Sequence, residues 1–271
     1  MKHGVKKPRK DYRNYSFHRT FGSTVPNFIQ PDFDEDAGLT MPDQNMEGLP
    51  FACTGYTQSE LCQDMDKSSY KPKYNYDKTL EMDGLEEGSP CDIHTSLKST
   101  LVYGVTNIGT DEDAALHRRG AYYEVEKHSN DWFDSIRSAI LTNPFRCSVS
   151  VITPWFACFQ HTYGGIITGD FVTQPVPTIW HNWKISGQKT INGVPYLKAK
   201  TWQGKNYGDN GWCYFSRERF NRLMMIPGTT AFTLAPFDKN NIVRVKIGII
   251  ETIISYMTML LKSLTAEKKS Q

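Results

Sequence analysis

Thr201-Trp202-Gln203-Gly204-Lys205-Asn206-Tyr207-Gly208-Asp209-Asn210-Gly211-Trp212 sets aromatic residues among glycines and asparagines at short intervals that chance rarely produces. Asn210 and Gly211 can supply the positive φ of a tight hairpin, so the minimal reading is a turn between two strands. Strand-like runs flank it at 194–202 and 211–216, with another upstream at 178–186, all separated by glycine-containing turns. Earlier still, Phe145, Cys147, Val149 and Val151 alternate with Arg146, Ser148 and Ser150. That period of two marks a half-buried strand.

Upstream of residue 145 the sequence reads mainly as helix. Ile93, Leu97 and Leu101 recur at helical spacing, with Ser89 or Asp92 as a cap and Gly104 just past the end. Asp131 to Leu141 forms a second helix, closed by Asn143-Pro144, and Ala121 to Val125 a short strand. Leu61 and Met65 share a face, and no glycine or proline interrupts the run after Gly55, so a helix starts near Cys53. Residues 66–90, full of Lys, Tyr, Asp and Gly, predict a long surface loop. Helices early and strands late is the order of an α+β domain and excludes a Rossmann or TIM alternation.

The 271 residues carry 31 Lys+Arg against 29 Asp+Glu, a net +2 that designates no partner. With 22% charged and 13% aromatic residues, the chain has enough apolar surface for a large core. Residues 1–20 are the exception, with Lys2, Lys6, Lys7, Arg9, Lys10, Arg13 and Arg19 against Asp11. We read them as a solvated basic arm without a strong nucleic-acid signal. They lack the apolar core of a secretory signal, so the expected location is cytoplasmic, or released or virion-associated. The folded domain is expected over 21–235, beginning with an extended arm to about residue 52.

Val243, Ile247, Ile250, Ile254, Met257, Leu261 and Leu264 form a heptad stripe over 242–265. This C-terminal helix could dock on its own domain or form a homo-oligomer through a coiled coil. A transmembrane span is not expected, because Arg244, Lys246, Glu251 and Lys262 interrupt the stretch.

No phosphate-cradling, dinucleotide, zinc-protease or serine-hydrolase motif occurs. The six cysteines contain no CxxC pair and the histidines no ligand spacing, so neither cofactor nor metal is expected. What remains is a thiol. Cys53 follows Gly48-Leu49-Pro50-Phe51-Ala52 into a helix, and a helix N-terminus favours thiolate. A nucleophilic cysteine needs a base, and His181 stands in a strand-like segment among aromatic neighbours.

The order of these features resembles the papain-like cysteine peptidase family over roughly residues 40–220. Asp43-Gln44-Asn45 ahead of Ala52-Cys53-Thr54-Gly55-Tyr56 is similar to the family's approach to its nucleophile. The helix ending in Tyr103-Gly104-Val105, and Asp131 to Ile140 followed by the strand from Arg146, resemble the family's next elements. Thr201 to Trp212 resembles its Asn-Ser-Trp-Gly segment and the Trp-Gly-x-Asn-Gly-Tyr that follows.

The resemblance implies a helical half packed against a bent antiparallel sheet or half-barrel, with the cleft between them, acting on a peptide or protein substrate. Cys53 would be the nucleophile and His181 its partner base and acid. Gln44 would donate to the oxyanion; Glu47, at the family's usual distance, would repel it when ionised. The family's orienting asparagine falls on Lys200, next to Thr201, and neither is an amide. A catalytically silent papain-fold binding or structural protein, assembled through the C-terminal helix, is the alternative, and a cell-wall amidase a third reading.

Overall fold

The computed structural model describes residues 15–16, 52–66, 68–127, 131–143 and 147–236. Gln44, Glu47 and the heptad segment 242–265 lie outside the described residues. Tyr15–Ser16 forms β1, and six α-helices follow among the described residues: α1 (Cys53–Asp66), α2 (Pro72–Asp83), α3 (Ile93–Val102), α4 (Asp111–Leu116), α5 (Trp132–Thr142) and α6 (Arg217–Met224). The remaining strands are β2 (Arg119–Glu124), β3 (Val149–Pro154), β4 (Thr162–Tyr163), β5 (Ile166–Ile167), β6 (Trp180–Ile191), β7 (Val194–Lys200), β8 (Trp212–Ser216) and β9 (Thr230–Pro236). They form one sheet in the order β1-β2-β9-β3-β6-β7-β8-β5-β4. Most pairs are antiparallel, as expected of an α+β domain; β1/β2 and β5/β8 are parallel.

Strand alternation divides the core in two. Val149, Val151, Trp183, Ile185, Ala199 and Phe215 turn to one face and bury Phe133 and Ile136 of α5 with Phe220 and Leu223 of α6. Ile152, Trp180 and Phe232 lie in a second cluster with Cys53 and Leu61 of α1 and Ile93 and Leu97 of α3. The sheet is therefore covered by α1 and α3 on one side and by α5 and α6 on the other.

The caps follow the sequence reading. The Asp92 carboxylate accepts from the amides of His94 and Thr95, and that of Asp131 from Asp134 N. Residues 66–90 correct it, because Pro72–Asp83 is a helix, with Pro72 in its first turn and Gly84 closing it at φ 63°. Apart from Pro72 and Leu80, its buried side consists of tyrosines and polar residues, so no aliphatic stripe announces it. Asn75 donates to Ser99 Oγ at 2.6 Å and accepts from Ser96 Oγ at 2.9 Å. Gly55 permits the close approach, since a Cβ there would stand 2.7 Å from the Pro72 carbonyl oxygen. Within the basic arm, Tyr15–Ser16 pairs with Tyr123 and Glu124 of β2 and is an edge strand where a solvated arm was expected.

α1 is the least orthodox element. Every residue from Cys53 to Asp64 is buried, although the sequence includes Thr57, Gln58, Ser59, Glu60, Gln63 and Asp64. Its acids sit in the C-terminal half, where the helix dipole disfavours negative charge. Each meets a cation. Glu60 pairs with Lys200 of β7 at 2.9 Å, with side chains 0% and 11% exposed. Asp64 pairs with Lys184 of β6 at 2.7 Å and accepts from Ser148 N at 3.2 Å. Asp66 accepts from Arg119 Nη1 of β2 at 3.0 Å. Gln58 donates to Ser150 Oγ at 3.3 Å, and Ser150 donates in turn to Asn182 Oδ1 at 2.7 Å.

Removing one member of a buried pair strands the other charge, at a cost of about 3–5 kcal/mol, whereas replacing both with apolar residues is close to neutral. Lys200→Met is therefore expected to lower the urea midpoint sharply, and Glu60→Leu combined with Lys200→Met to recover most of the loss. A double variant as unstable as the single one would contradict this pairing.

Candidate active site

Cys53 opens α1, where the Ala52 carbonyl accepts from Tyr56 N at 3.0 Å. Its side chain is fully buried and shares a cluster with Ile152 of β3 and Trp180 of β6, against which Trp202 packs. One turn further on the same helix face, Thr57 Oγ1 donates to the carbonyl oxygen of Asn182 at 3.3 Å. The residues bracketing His181 are thus both engaged by the first turn of α1 or its cluster. The start of α1, with Cys53, and the start of β6, with His181, are therefore in contact.

His181 is the second residue of β6, fully buried and opposite Thr153 in the β3/β6 register. Asn182 and Lys184 turn toward α1, so strand alternation directs His181 with Trp183 to the other face. There the imidazole lies edge-on to two indoles, 4.8 Å from Trp155 and 4.7 Å from Trp183 between ring centroids. The indoles stack on each other at 5.2 Å and 20°.

Lys200, at the position of the family's asparagine, is committed to Glu60 on the α1 face. Its charge is compensated there. Thr201, just past the end of β7, is buried, and its hydroxyl accepts from Gln203 N at 3.0 Å.

The stretch from 201 to 212 is both a turn and a buttress. Asn210 and Gly211 have φ of 51° and 90°, and Asp209 and Trp212 exchange backbone hydrogen bonds at 2.8 and 3.0 Å. This is the two-residue hairpin expected from the sequence. Tyr207 is buried and donates to the Phe159 carbonyl at 2.6 Å, with its ring 6.4 Å from Trp155. Trp155 and Trp183 escaped the sequence reading as site residues. The available signal was the spacing of Trp183 two residues after His181, which places both on one strand face.

Cys62, Cys147, Cys158 and Cys213 are free thiols. Burial pushes the thiol of Cys147 up to about 12 and raises those of Cys62, Cys158 and Cys213. These four are packing residues kept protonated, not nucleophiles. Among the described residues no group of three His, Cys, Asp or Glu could hold a metal. No helix of the described residues is long and apolar enough to cross a membrane.

No protein-family model matches the chain. No curated protein matches it by sequence either. Solved structures do. Xylellain, a cysteine protease from Xylella fastidiosa, superposes with a TM-score of 0.67 at 13% identity, covering 87% of this chain and 96% of that one. The digestive procathepsin L2 proteinase of Tenebrio molitor larval midgut gives 0.67 at 15% identity over 86% and 78%. The bromelain protease of Ananas comosus, in complex with the E64 inhibitor, gives 0.54 at 14% identity over 76% and 98%. The chain has the papain-like cysteine protease fold.

With their thiols held protonated, Cys62, Cys147 and Cys213 are expected to resist iodoacetamide at pH 7 in the folded chain and to be labelled after urea. Peptide mass mapping reads this directly. Labelling of any of the three without unfolding would contradict their placement in the core.

Proposed function

We propose that the protein is a cysteine peptidase or related amide hydrolase, with Cys53 as nucleophile and His181 as acid and base. The observation that carries this reading is the meeting of the α1 start with the β6 start, through the Thr57–Asn182 bond and the cluster joining Cys53 to Trp180. The papain-like fold supports it, since that architecture seats a thiol and an imidazole on opposite walls of a cleft.

In the first step the Cys53 thiolate attacks the amide carbonyl carbon, forming the C–S bond and an oxyanion. The oxyanion accepts from Cys53 N–H and from the Gln44 side chain, the role the sequence resemblance gives them. Collapse breaks the C–N bond as the His181 imidazolium gives its proton to the leaving amine. Neutral His181 then takes a proton from water, which attacks the thioester and expels the thiolate, regenerating the pair. The substrate is a peptide or protein, and no cofactor enters the sequence of steps. Residues 242–265 are proposed to associate with a second copy of the chain through their heptad stripe.

The rate of Cys53 alkylation by iodoacetamide against pH tests the chemistry. A thiolate–imidazolium pair labels fast well below the ordinary thiol pKa of about 8.5, and His181→Ala abolishes that fast labelling. Cys53→Ser removes both labelling at this site and hydrolysis of peptide substrates. Labelling that rises only near the ordinary pKa would sink the reading.

A further inference from the structure

A closed ring of hydrogen bonds joins α1 to the residue that follows His181. Gln58 donates to Ser150 Oγ at 3.3 Å, Ser150 donates to the Asn182 side-chain carbonyl at 2.7 Å, and Thr57 Oγ1 donates to the Asn182 main-chain carbonyl at 3.3 Å. Thr57 and Gln58 are neighbours on the helix, so the circuit closes on α1 itself, and none of the four residues is more than 1% exposed. Thr57 departs from other helical hydroxyls. Those of Thr79, Thr100, Ser135 and Thr142 bond back to carbonyls three or four residues earlier in the chain, the usual habit, whereas the Thr57 hydroxyl reaches across to β6. The start of β6 has use for such an anchor. β6 pairs with β7 only from Lys184 onward, so among the described residues 180–183 have β3 as their one strand neighbour.

We propose that Thr57 and Asn182 are positioning residues for His181, holding the main chain at 181–182 against the helix turn that begins at Cys53. The inference rests on the amide-hydrolase reading above. Cys53 and Thr57 stand one turn apart on one face of α1, and His181 and Asn182 are adjacent in β6, so this bond ties the carriers of the two proposed reactive groups together within a single helical turn. Stability alone does not call for the arrangement. Among the described residues Gln58 Oε1 and Asn182 Nδ2 meet no hydrogen-bond partner. A buried polar group left unpaired is costly, and apolar side chains at these positions would avoid that cost. What the two amides supply is fixed geometry, since a shell whose own side chains are hydrogen-bonded holds a reactive group more narrowly than one left free. The cations on this face, Lys184 and Lys200, are paired with Asp64 and Glu60. The four members of the ring are uncharged, so it acts on His181 through geometry.

The test is the iodoacetamide labelling rate of Cys53 in the full chain near pH 6 and near pH 9.5, with near-ultraviolet circular dichroism confirming that each variant is folded. Near pH 9.5 a thiol ionises without help, so that rate reports access, and the ratio of the rate near pH 6 to it reports the pairing with His181. Thr57→Val keeps the side-chain shape and loses the donor, while Asn182→Leu loses the side-chain acceptor. Both are expected to lower the ratio about tenfold, the loss of thiolate that follows when its imidazolium partner is displaced. Thr57→Ser, which keeps the hydroxyl, is expected to hold the ratio within about threefold of wild type. Thr79→Val removes a buried hydroxyl of the same kind between α2 and α3 and should leave the ratio unchanged. Thr57→Val, the smaller change, decides the matter when Asn182→Leu does not fold. A ratio in either Thr57→Val or Asn182→Leu that matches wild type, or a Thr57→Ser ratio as low as that of Thr57→Val, overturns this inference alone. A wild type whose ratio is that of an ordinary thiol overturns the hydrolase reading and this inference with it.

Discussion

A helix with a polar sequence is buried along nearly its whole length, and the site depends on how that burial is made tolerable. α1 carries three acids into the interior, each opposed by a cation from a different strand: Lys200 of β7, Lys184 of β6 and Arg119 of β2. Buried ion pairs contribute little net stability compared with apolar packing, but they punish displacement, since any shift strands a charge. An aliphatic stripe could slide by a turn along the sheet. A row of ion pairs reaching three strands cannot, and the register of α1 against β6 is what sets Cys53 near the residues flanking His181. Gly55 completes the constraint by letting α2 approach the first turn of α1 too closely for any side chain.

The two faces of the sheet divide the labour. On the α1 face, charge pairs and the Gln58–Ser150–Asn182 relay hold the helix that supplies the thiol. On the opposite face, Trp155 and Trp183 pack against the imidazole, and with Phe159 they are linked to Tyr207 in the glycine-rich turn. The turn between 201 and 212 therefore bears on chemistry through packing. Its glycines and Asn210 fold the backbone tightly, and that folding brings the Tyr207 hydroxyl to the Phe159 carbonyl.

Much of this was legible in the sequence where local signals and tertiary demands agree. The period of two across Phe145 to Val151, the caps at Asp92 and Asp131 and the Asn210-Gly211 turn each marked an element the structure contains. Where they disagree, the sequence misled. Residues 72–83 read as a loop because the buried side of α2 is largely polar or aromatic, with Asn75 and Thr79 bonded to α3 and Tyr76 to the Ser89 carbonyl, partners that the helix's own window does not contain. β9 was invisible for a related reason: its place between β2 and β3 depends on partners far away in sequence. Cys53 and His181 were singled out by their order along the chain, while the packing of Trp155 on His181 was not legible, because it arises only when β3 lies beside β6. Lys200 was legible as a departure from the family, while its partner Glu60, on another element, was not.

The central claim is the proposed pairing of a Cys53 thiolate with His181, which rests on the contact between the starts of α1 and β6. The most direct measurement is the ultraviolet absorbance of thiolate, taken as wild type minus Cys53→Ser and followed against pH. The account predicts a thiolate signal already present well below the ordinary thiol pKa of about 8.5, moving up into the ordinary range in His181→Ala. A difference signal that appears only in the ordinary range, and is unchanged by His181→Ala, would contradict it.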